Sequence, residues 1–592
     1  MRLLAKIAPR LSMPADRPAT TRTIPRVADY ALLLVAAAAL TLPNLGSPSL
    51  WDVDEGVNAE AAREMHEAGT WVIPTFNFEL RTAKPVMLYW LQRASYAAWG
   101  VNEWSARLPS VLASWLTILL TYEMGRRMFG RGTGMLAAVV LGTAIEFCVL
   151  AHAATPDATL LLFTVLAFYL FWVGHENGRR RWWLPMAAAC GLAMLTKGPV
   201  GVALPGLVVI AYFAWNRELG RLWDRRLLWG LVVFALIAGP WYGLITAETR
   251  GAWAKAFFLN ENWNRALTSM EDHRGPIFYH AAALFALFAP WSVFLIPALW
   301  YGFCDGQKPL GNHPPAISLP SMATSPTRGE VGGACDANRG ERFLLCWFAA
   351  YLVFFSLVRT KLPNYVLPLY PALAILTARF LVRWRDGGLT LPRWLMPATT
   401  AGMALVGIAI AGGLLAAGGV LPIGSMRTFP GLERWAVLGA IPLAGAIVMA
   451  WRLRAGHRRG FISAATATAL VLTTVIAAFP ALTMDRYKAP RELTRACGLP
   501  DSTRDIRLAA FDWFQPSIVF YSGREVVKLP TPEKAVEFLA APTPAFLFVS
   551  ETAWNAWREG QAIPDYRVVA RCFDFYRNCH VLAISNEPPP PE

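Results

Sequence analysis

The chain has 592 residues, of which 55% are hydrophobic and 16% are charged, and its mean hydropathy is +0.37. Soluble domains usually carry about a quarter charged residues, so this composition excludes an ordinary soluble protein and indicates a polytopic membrane protein. A net charge of +15 would suggest nucleic acid in a soluble chain. Here the basic residues lie in short loops between apolar runs, so we interpret them as topology signals and expect no nucleic-acid partner.

Apolar runs long enough to cross a bilayer recur along the chain, and we count about thirteen of them. Their approximate limits are 28–48, 107–124, 133–153, 158–175, 182–196, 198–215, 227–246, 277–301, 343–358, 362–381, 394–421, 434–451 and 460–481. They predict an α-helical polytopic domain over residues 28–483, embedded in membrane lipids. The basic segment 1–27 lacks the short apolar core of a cleavable signal peptide, so we predict that it stays in the cytoplasm.

The loops between these runs alternate in charge. Every second loop is rich in arginine, as in 126–131, 217–226 and 452–459, and the positive-inside rule places such loops in the cytoplasm. Because the number of crossings is odd, the C-terminal residues are then expected outside. Loop 302–342 is rich in Gly, Pro, Ser and Asn, which predicts a disordered cytoplasmic insertion.

The first outer loop, residues 49–106, begins with acids. Asp52, Asp54 and Glu55 follow directly after the first apolar run. Acids just beyond a helix end are often only part of a solvated loop. Nearly every other intramembrane or loop-tip ionisable residue is predicted to face the same side of the membrane as Asp54, which favours a catalytic loop instead.

Two helices are predicted within this outer loop. Helix formers over residues 58–68 predict an amphipathic helix that Gly69 ends. A second helix over 86–99 is dense in aromatic residues, which is typical of a helix lying in the membrane interface. The link between them, 77–84, is polar and is predicted to be flexible, so Lys84 is expected on a mobile segment.

Residues 484–592 change in composition and predict a small α/β domain outside the membrane. The predicted strands are Ile506–Phe511, Ala545–Ser550, Arg567–Phe573 and His580–Ser585, and the predicted helices are Pro532–Leu539 and Glu551–Arg558. Cys572 and Cys579 flank a turn and could face each other across a hairpin, where an outer location would permit a disulfide. Cys497 is a third cysteine in this domain and leaves an odd number there, so the pairing stays open.

Carboxylates and cations gather on the predicted outer side. Asp54 and Asp157 are the acids, and the cations are Lys84, Lys197, Lys361 and Arg274. The two runs that meet at Lys197 share only about 34 residues, which is short for two full spans, so this lysine is expected below the surface in a cavity. The alternatives are a helix cap for Asp157 and lysines that extend to the interface for Lys197 and Lys361.

Such a set suits cleavage of a glycosyl phosphate carried by a membrane lipid. Cations stabilise a departing phosphate, where negative charge develops in the transition state. A carboxylate can take the proton of the attacking hydroxyl or amine.

Eight short motifs occur in an order that resembles a known family. They are Asp54-Glu55, Ala59-Glu60-Ala61-Ala62-Arg63-Glu64-Met65, Lys84-Pro85, Tyr89-Trp90-Leu91, Thr155-Pro156-Asp157, Thr196-Lys197-Gly198-Pro199, His273-Arg274-Gly275-Pro276 and Thr360-Lys361-Leu362-Pro363-Asn364-Tyr365. Together they resemble the integral-membrane glycosyltransferases of the GT-C fold, in particular glycosyltransferase family 39 with its protein O-mannosyltransferases and the bacterial lipid A aminoarabinose transferases. The resemblance covers roughly residues 28–480.

The resemblance implies a polyprenyl-phosphate sugar donor and an envelope lipid, glycan or protein acceptor, at the outer face of the bacterial inner membrane. It implies Asp54 as the residue nearest the chemistry. The residues expected to act are Asp54 and Asp157 in catalysis, Lys84, Lys197 and Arg274 on the donor phosphate, and Glu55, Tyr89, Lys361, Asn364, Tyr365 and His273 on the substrates.

Two departures from the aminoarabinose transferases matter. Those proteins usually have Arg-Tyr where this chain has Val57-Asn58, which puts aminoarabinose in question as the sugar. They have an acid, which helps to hold a metal ion, where this chain has Ala83. We therefore assign no metal ligand and no certain cofactor, and a divalent metal stays an open alternative.

Two other classes of function compete with sugar transfer. A transporter or flippase of lipid-linked sugars usually shows internal repeats with interrupted helices, whereas the charged residues here gather on one face. A structural or assembly protein of the envelope would act through its C-terminal domain. Release of polyprenyl phosphate from a lipid-linked sugar would distinguish transfer from both.

Overall fold

The computed structural model describes residues 26–176, 183–264, 275–307, 328–421, 427–499, 502–560 and 566–588, together with residues 267 and 424. Helices from residue 26 to residue 485 form one domain, and a five-stranded sheet with its helices forms a second.

The first domain contains nineteen α-helices in the described part of the chain. In chain order they are α1 (Arg26–Thr41), α2 (Asp54–Glu67), α3 (Met87–Trp99), α4 (Glu103–Phe129), α5 (Arg131–Gly142), α6 (Ile145–Ala151), α7 (Pro156–Glu176), α8 (Trp183–Lys197), α9 (Val200–Trp215), α10 (Arg226–Glu248), α11 (Ala252–Lys255), α12 (Tyr279–Leu287), α13 (Leu295–Gly306), α14 (Arg328–Leu357), α15 (Tyr370–Arg385), α16 (Leu395–Ala417), α17 (Ala440–Arg454), α18 (Arg458–Ala478) and α19 (Pro480–Asp485). A π-helix, Ala256–Asn264, follows α11, and 3₁₀-helices occupy Leu219–Trp223, Trp291–Phe294, Pro363–Leu369 and Glu433–Gly439.

Each of the thirteen predicted apolar runs lies on a helix or on successive helices. Among the described residues, seven helices are long and apolar enough to cross a membrane. Two bent pairs, α5 with α6 and α12 with α13, bring that number to nine, and α1 and α9 are apolar but shorter. The chain is therefore a multi-pass helical membrane protein with a small α/β domain, as its composition predicts.

The segment Pro363–Arg385, which joins a 3₁₀-helix to α15, lies at the centre of this domain. It spans 23 residues, and most of its side chains are buried by neighbouring helices. An apolar helix in a membrane protein can face lipid or other helices, and the high burial of this segment shows that other helices cover it. This segment therefore connects the two ends of the membrane domain through its core.

The outer loop differs from its prediction. Helix α2 begins at Asp54, four residues earlier than expected, and eleven of its fourteen residues are buried instead of one amphipathic face. The predicted flexible link at 77–84 begins in a hairpin in which β1 (Thr75–Phe76) pairs with β2 (Glu79–Leu80). Short local pairing of this kind leaves little pattern in a sequence.

The predicted insertion at 302–342 is also partly wrong. Helix α13 continues to Gly306, and α14 is already helical at Arg328. Glu341 and Arg342 are buried, and Arg342 donates a hydrogen bond to the carbonyl oxygen of Gly306, 2.6 Å away. Residues 308–327 lie outside the described part of the chain.

The C-terminal domain has a mixed sheet of five strands in the order β4-β3-β5-β7-β6. The strands are β3 (Arg507–Phe511), β4 (Val526–Leu529), β5 (Ala545–Ser550), β6 (Arg567–Asp574) and β7 (Cys579–Ser585). Helices α20 (Ala489–Ala496), α21 (Ser517–Ser522), α22 (Pro532–Ala540) and α23 (Glu551–Gly560) accompany them. Four strands and two helices were predicted, whereas the short edge strand β4 and helices α20 and α21 were not.

Cys572 and Cys579 are not directly opposite each other. The β6–β7 register pairs Cys572 with Val581 and Asp574 with Cys579. Both cysteines are free thiols in the structure. The expectation that they face each other across the hairpin is therefore wrong by two residues of register.

The two domains meet at the segment just before α2. Ser517 donates to the Asp52 carboxylate through its backbone N–H, at 2.8 Å, and through its hydroxyl. Lys488 donates to the carbonyl oxygen of Ser49 at 2.8 Å. A Cβ atom at Gly56 would lie 2.7 Å from the Ser517 nitrogen, so only glycine allows this approach. These contacts fix the start of α2 against the C-terminal domain.

Candidate active site

A cavity of about 550 Å³ opens between α7, the α8–α9 turn, the π-helix and the start of the Pro363–Arg385 segment. One side of its lining is polar and the rest is apolar. The polar lining residues are Lys84, Asp157, Lys197, Glu261, Asn262, Asn364 and Tyr365, and the apolar ones include Leu160, Val200, Ala203, Phe257, Phe258, Phe354, Phe355 and Leu367. The cavity can therefore accept a molecule with a charged head and a hydrocarbon tail.

A buried ion pair forms the polar centre of this cavity. The Lys197 Nζ atom lies 2.6 Å from Oδ1 of Asp157, and the two side chains are only 16% and 6% exposed. Asn364 donates to the same oxygen at 3.2 Å. Asp157 stands in the first turn of α7, where a carboxylate is favoured by the helix dipole, and Lys197 is the last residue of α8. Three separate elements thus meet at one carboxylate.

Two further groups complete the polar side. Lys84 is half-buried and lies close enough to Asp157 to act on its charge. The Lys197 ammonium lies 5.5 Å from the centre of the Tyr365 ring, within the range of a cation–π contact. The site therefore places two lysines, Lys84 and Lys197, beside Asp157, where either ammonium can meet a negative ligand.

Asp54 lies outside the cavity lining but near it. It is the first residue of α2, its side chain is exposed, and its charge acts on Lys197. An exposed carboxylate in this position can be reached by an acceptor from the aqueous side. It can thus serve chemistry at the mouth of the cavity.

Glu55, the next residue, is buried and bound on every side. Its carboxylate pairs with the Arg107 guanidinium at 2.7 Å and accepts from the backbone N–H groups of Trp51 and Ala154 at 2.8 and 2.6 Å. Burial alone would raise the pKa of Glu55, but the Arg107 charge and these hydrogen bonds hold it below its usual value. Glu55 therefore holds the start of α2 in place. It does not line the cavity, although the sequence suggested that it contacts substrate.

Tyr89 and Lys361 also lie away from the cavity lining. The Tyr89 hydroxyl is buried, accepts from Arg81 at 2.8 Å and donates to Asn58 at 3.5 Å. Lys361 is 5% exposed and donates to the carbonyl oxygens of Phe355 and Ser356 at 3.0 and 2.6 Å. Burial lowers the pKa of Lys361.

The remaining predicted site residues, His273 and Arg274, lie outside the described residues. The structure thus brings Lys84, Asp157, Lys197, Asn364 and Tyr365 to one cavity and places Asp54 near its polar side.

The sequence did not single out the π-helix Ala256–Asn264 as part of the site. Its Phe257, Glu261 and Asn262 line the cavity. A Cβ at Gly198, in the α8–α9 turn, would lie 2.6 Å from the Phe257 ring. π-Helices are rare and short, so no sequence pattern predicted one here, and the three-dimensional contact identifies this wall.

The described residues offer no preformed metal site. No group of three or more His, Cys, Asp and Glu side chains comes together in these ranges. The one acid at the centre of the cavity, Asp157, is bound by Lys197 and Asn364, and Ala83 stands beside Lys84 in the wall. We therefore derive no step through a metal ion.

Comparisons with known proteins agree with this architecture. A family model described as dolichyl-phosphate-mannose-protein mannosyltransferase matches residues 83–242, a range that contains Lys84, Asp157 and Lys197. An undecaprenyl phosphate-α-4-amino-4-deoxy-L-arabinose arabinosyl transferase of Erwinia tasmaniensis is 33% identical over 359 residues. That match spans 59% of this chain and 59% of the relative.

Two further relatives extend the similarity. An uncharacterized protein of Aquifex aeolicus is 30% identical over 335 residues, which are 57% of this chain and 69% of that protein. The crystal structure of ArnT from Cupriavidus metallidurans bound to undecaprenyl phosphate superposes with a TM-score of 0.75 at 24% identity. The superposition covers 96% of this chain and 99% of that one, so the two share a fold that includes the C-terminal domain.

Proposed function

We propose that this chain, which shares the fold of ArnT and is similar in sequence to aminoarabinose transferases, is a membrane glycosyltransferase of the GT-C fold. It is proposed to transfer a sugar from a polyprenyl phosphate to an envelope lipid, glycan or protein. The observation that carries the proposal is the two-sided lining of the 550 Å³ cavity. Lys84, Lys197 and Asp157 stand on its polar side, and phenylalanine and leucine side chains cover the rest. A lipid phosphate has the same division, with a charged head and an apolar chain.

Each polar group has a role in this reaction. The acceptor oxygen or nitrogen forms a bond to the anomeric carbon of the sugar, and the bond from that carbon to the donor phosphate oxygen breaks. Lys84 and Lys197 face the phosphate and stabilise the charge that develops on it. Asp54 takes the proton that the acceptor loses. Polyprenyl phosphate leaves, and its chain lies along the apolar wall.

Asp157 acts on the reaction through its neighbours. Its carboxylate holds the Lys197 ammonium and the Asn364 amide at one point. The lysine is therefore oriented before the donor enters, which lowers the cost of placing a cation against the leaving phosphate. Removing this carboxylate would leave a buried ammonium without its partner.

The relatives support the donor class. The similar chain from Erwinia tasmaniensis is named for an undecaprenyl phosphate-linked sugar, and the ArnT structure contains undecaprenyl phosphate. We do not extend the aminoarabinose of these relatives to this chain. The chain departs from the aminoarabinose transferases at Asn58, whose side chain binds Arg81 and Tyr89. The proposal therefore names a glycosyl polyprenyl phosphate, with a hexose or a pentose, as the donor.

The site is proposed to face the periplasm from the bacterial inner membrane. The arginine-rich loops favour the cytoplasm, and Asp54 and the C-terminal domain lie at the other ends of the same helices. A reporter that is active only in the cytoplasm should stay silent when it is fused after Glu592. Reporter activity there would contradict this orientation.

Donor cleavage is the direct test of transfer. The full-length protein in lipid nanodiscs is incubated with a polyprenyl phosphate carrying a labelled sugar, with and without envelope extract as the acceptor source. Transfer predicts that polyprenyl phosphate and a labelled acceptor appear together, and that Asp54→Asn gives neither. An intact donor that only changes leaflets in reconstituted vesicles would instead support a transporter.

A further inference from the structure

A second polar pocket lies at the opposite end of the Pro363–Arg385 segment. Its first turn carries Asn364 and Tyr365 at the cavity, and its last residue, Arg385, lines this pocket. The 23 residues span about 33 Å at 1.5 Å per helical residue, which is about the thickness of the hydrocarbon core. The pocket has a volume of about 410 Å³ and is lined by Arg385, Arg452, Gly456, His457, Arg458, Arg459 and Gly460.

The tight turn between α17 and α18 shapes this pocket. Gly456 has a φ of +71°, a conformation that glycine adopts at little cost. A Cβ at Gly460 would lie 2.9 Å from Cδ of Arg452, so the missing side chain leaves room for the arginine. The turn thereby brings arginines from the end of one helix and the start of the next to one opening.

Two of the guanidinium groups are held in defined orientations. Arg452 lies over the Trp451 ring, 4.4 Å from its centre. Arg458 donates to the carbonyl oxygen of Trp384 at 2.7 Å and lies 5.5 Å from the centre of that ring. These contacts use the flat faces of the guanidinium groups and only one of their donors. Most of their N–H groups therefore remain available to an anion.

The pocket carries an excess of positive charge. Arg385 pairs with Asp386 at 2.7 Å. In the described ranges, no carboxylate lies within ion-pair distance of Arg452, Arg458 or Arg459. Three like charges at one opening repel each other, and the backbone N–H groups at the start of α18 add to the positive potential. An anion bound here would relieve this repulsion.

The surroundings of the pocket point to a lipid. The Trp451 side chain beside it is 59% exposed, and Trp394, in the turn that follows α15, is 66% exposed. Exposed tryptophans at helix ends are typical of the membrane interface, where the ring contacts the headgroup region. Clustered basic residues at that level attract anionic lipids.

We propose that this basic pocket binds the phosphate group of an anionic glycerophospholipid from the leaflet opposite the catalytic cavity. The proposal rests on the pocket, its unpaired arginines and its place at the membrane interface. It does not depend on the proposed sugar transfer, because binding is measured without any sugar donor.

Native mass spectrometry of the full-length protein, titrated with phosphatidylglycerol or with zwitterionic phosphatidylethanolamine, tests the proposal. Arg452→Gln and Arg458→Gln should each weaken phosphatidylglycerol binding about fivefold, and the double variant about twenty-five-fold, since one basic residue near an anionic lipid contributes about 1 kcal/mol. Arg454→Gln is the matched control, because Arg454 is exposed in the same stretch but does not line the pocket. The control should change binding by less than about twofold.

Three results would overturn the proposal: pocket variants that bind phosphatidylglycerol like the wild type, a control that loses as much as they do, or equal binding of the zwitterionic lipid. Competition separates the two sources of phosphate. Inorganic phosphate that displaces the lipid at equal concentration would identify a soluble ligand and contradict a lipid site. Arg458→Lys keeps the charge and should retain most of the affinity, so a loss caused by misfolding is distinguished from a loss of charge.

Discussion

The two ends of the Pro363–Arg385 segment carry charge in different ways. At the cavity end, Asp157 is buried, Lys197 is half-buried, and the two are paired at 2.6 Å with apolar walls around them. At the far end, Arg452 and Arg459 lie at the surface, and no acid in the described residues pairs with them. One segment thus connects a partly enclosed site of opposite charges with a more open site of like charges.

The difference shows how the surroundings decide what a charge can do. In an enclosed, apolar site each charge acts strongly on its neighbours, so a charged group needs a partner to remain there. Such a site can also stabilise charge that develops during a reaction. At the surface, water and salt weaken the same interactions. Charges there orient the protein in the membrane and attract anionic lipids instead.

The largest expected effect at the cavity end is that of Asp54. Asp54→Asn keeps the size of the side chain but removes its charge and its basicity. If Asp54 is the general base, donor transfer should fall about 10²–10⁴-fold with little change in melting temperature, because this carboxylate is exposed. The measurement is turnover with a defined labelled donor.

Asp52→Asn is the matched control for that prediction. Asp52 lies two residues earlier but points to Ser517 of the C-terminal domain. Its turnover should fall by less than about fivefold, the factor that one lost hydrogen bond of about 1 kcal/mol would give. Equal, small losses in both variants would mean that these acids are only a solvated loop.

Breaking the buried pair that holds α2 should cost most in stability. Arg107→Met leaves the Glu55 carboxylate buried without its partner and should destabilise the protein by about 3–5 kcal/mol. Arg571→Met breaks an exposed pair with Glu551 and should cost less than about 1 kcal/mol. Thermal unfolding in one detergent compares the two, and equal shifts would show that burial does not set the value of the pair.

Two variants that each remove one cation, one at the cavity and one on the opposite side of the membrane domain, distinguish a catalytic role from a role in membrane topology. Lys84→Ala, at the cavity, should lower turnover about 10²–10³-fold, the scale of one lost electrostatic contact to a transition state. Arg454→Ala, at the far end, should leave turnover within about twofold of the wild type. Near-normal turnover of Lys84→Ala on a defined donor would contradict its place on the phosphate.

The smallest effect concerns pH at the junction of the two domains. Burial raises the pKa of Asp52 to about 7, although Ser517 donates two hydrogen bonds to it. An unfolded chain loses this proton near pH 4, so the contribution of Asp52 to stability falls as the pH rises from about 4 to about 7. The melting temperature of Asp52→Asn minus that of the wild type should therefore increase between about pH 4 and about pH 7. Above about pH 7 this difference should stay constant.

Asp505→Asn provides the comparison for that measurement, because Asp505 is exposed in the same domain. Its melting temperature should follow the wild type at every pH. A wild-type curve that matches Asp52→Asn between pH 4 and 7 would show that the carboxyl group at the junction is ionised throughout.

The sequence by itself determined the class of the protein and the residues of its polar centre. Long apolar runs must be helices in a bilayer, because every backbone group there needs an internal partner. Their positions predicted all thirteen helical regions, and the position of Lys197 between two short runs predicted its place in a cavity. A short, continuous apolar run likewise predicted β5 with its observed limits.

Only the tertiary structure decided which polar residues meet. Glu55 follows Asp54 directly, yet one side chain is buried against Arg107 and the other is exposed, because the helix turns successive residues by about 100°. Lys361 and Asn364 are three residues apart, yet only Asn364 reaches Asp157. Phe257 and Ser517 join the cavity wall and the α2 junction from distant parts of the chain. Contacts of this kind depend on how helices pack, which no local pattern records, so the sequence could name candidates but not their partners.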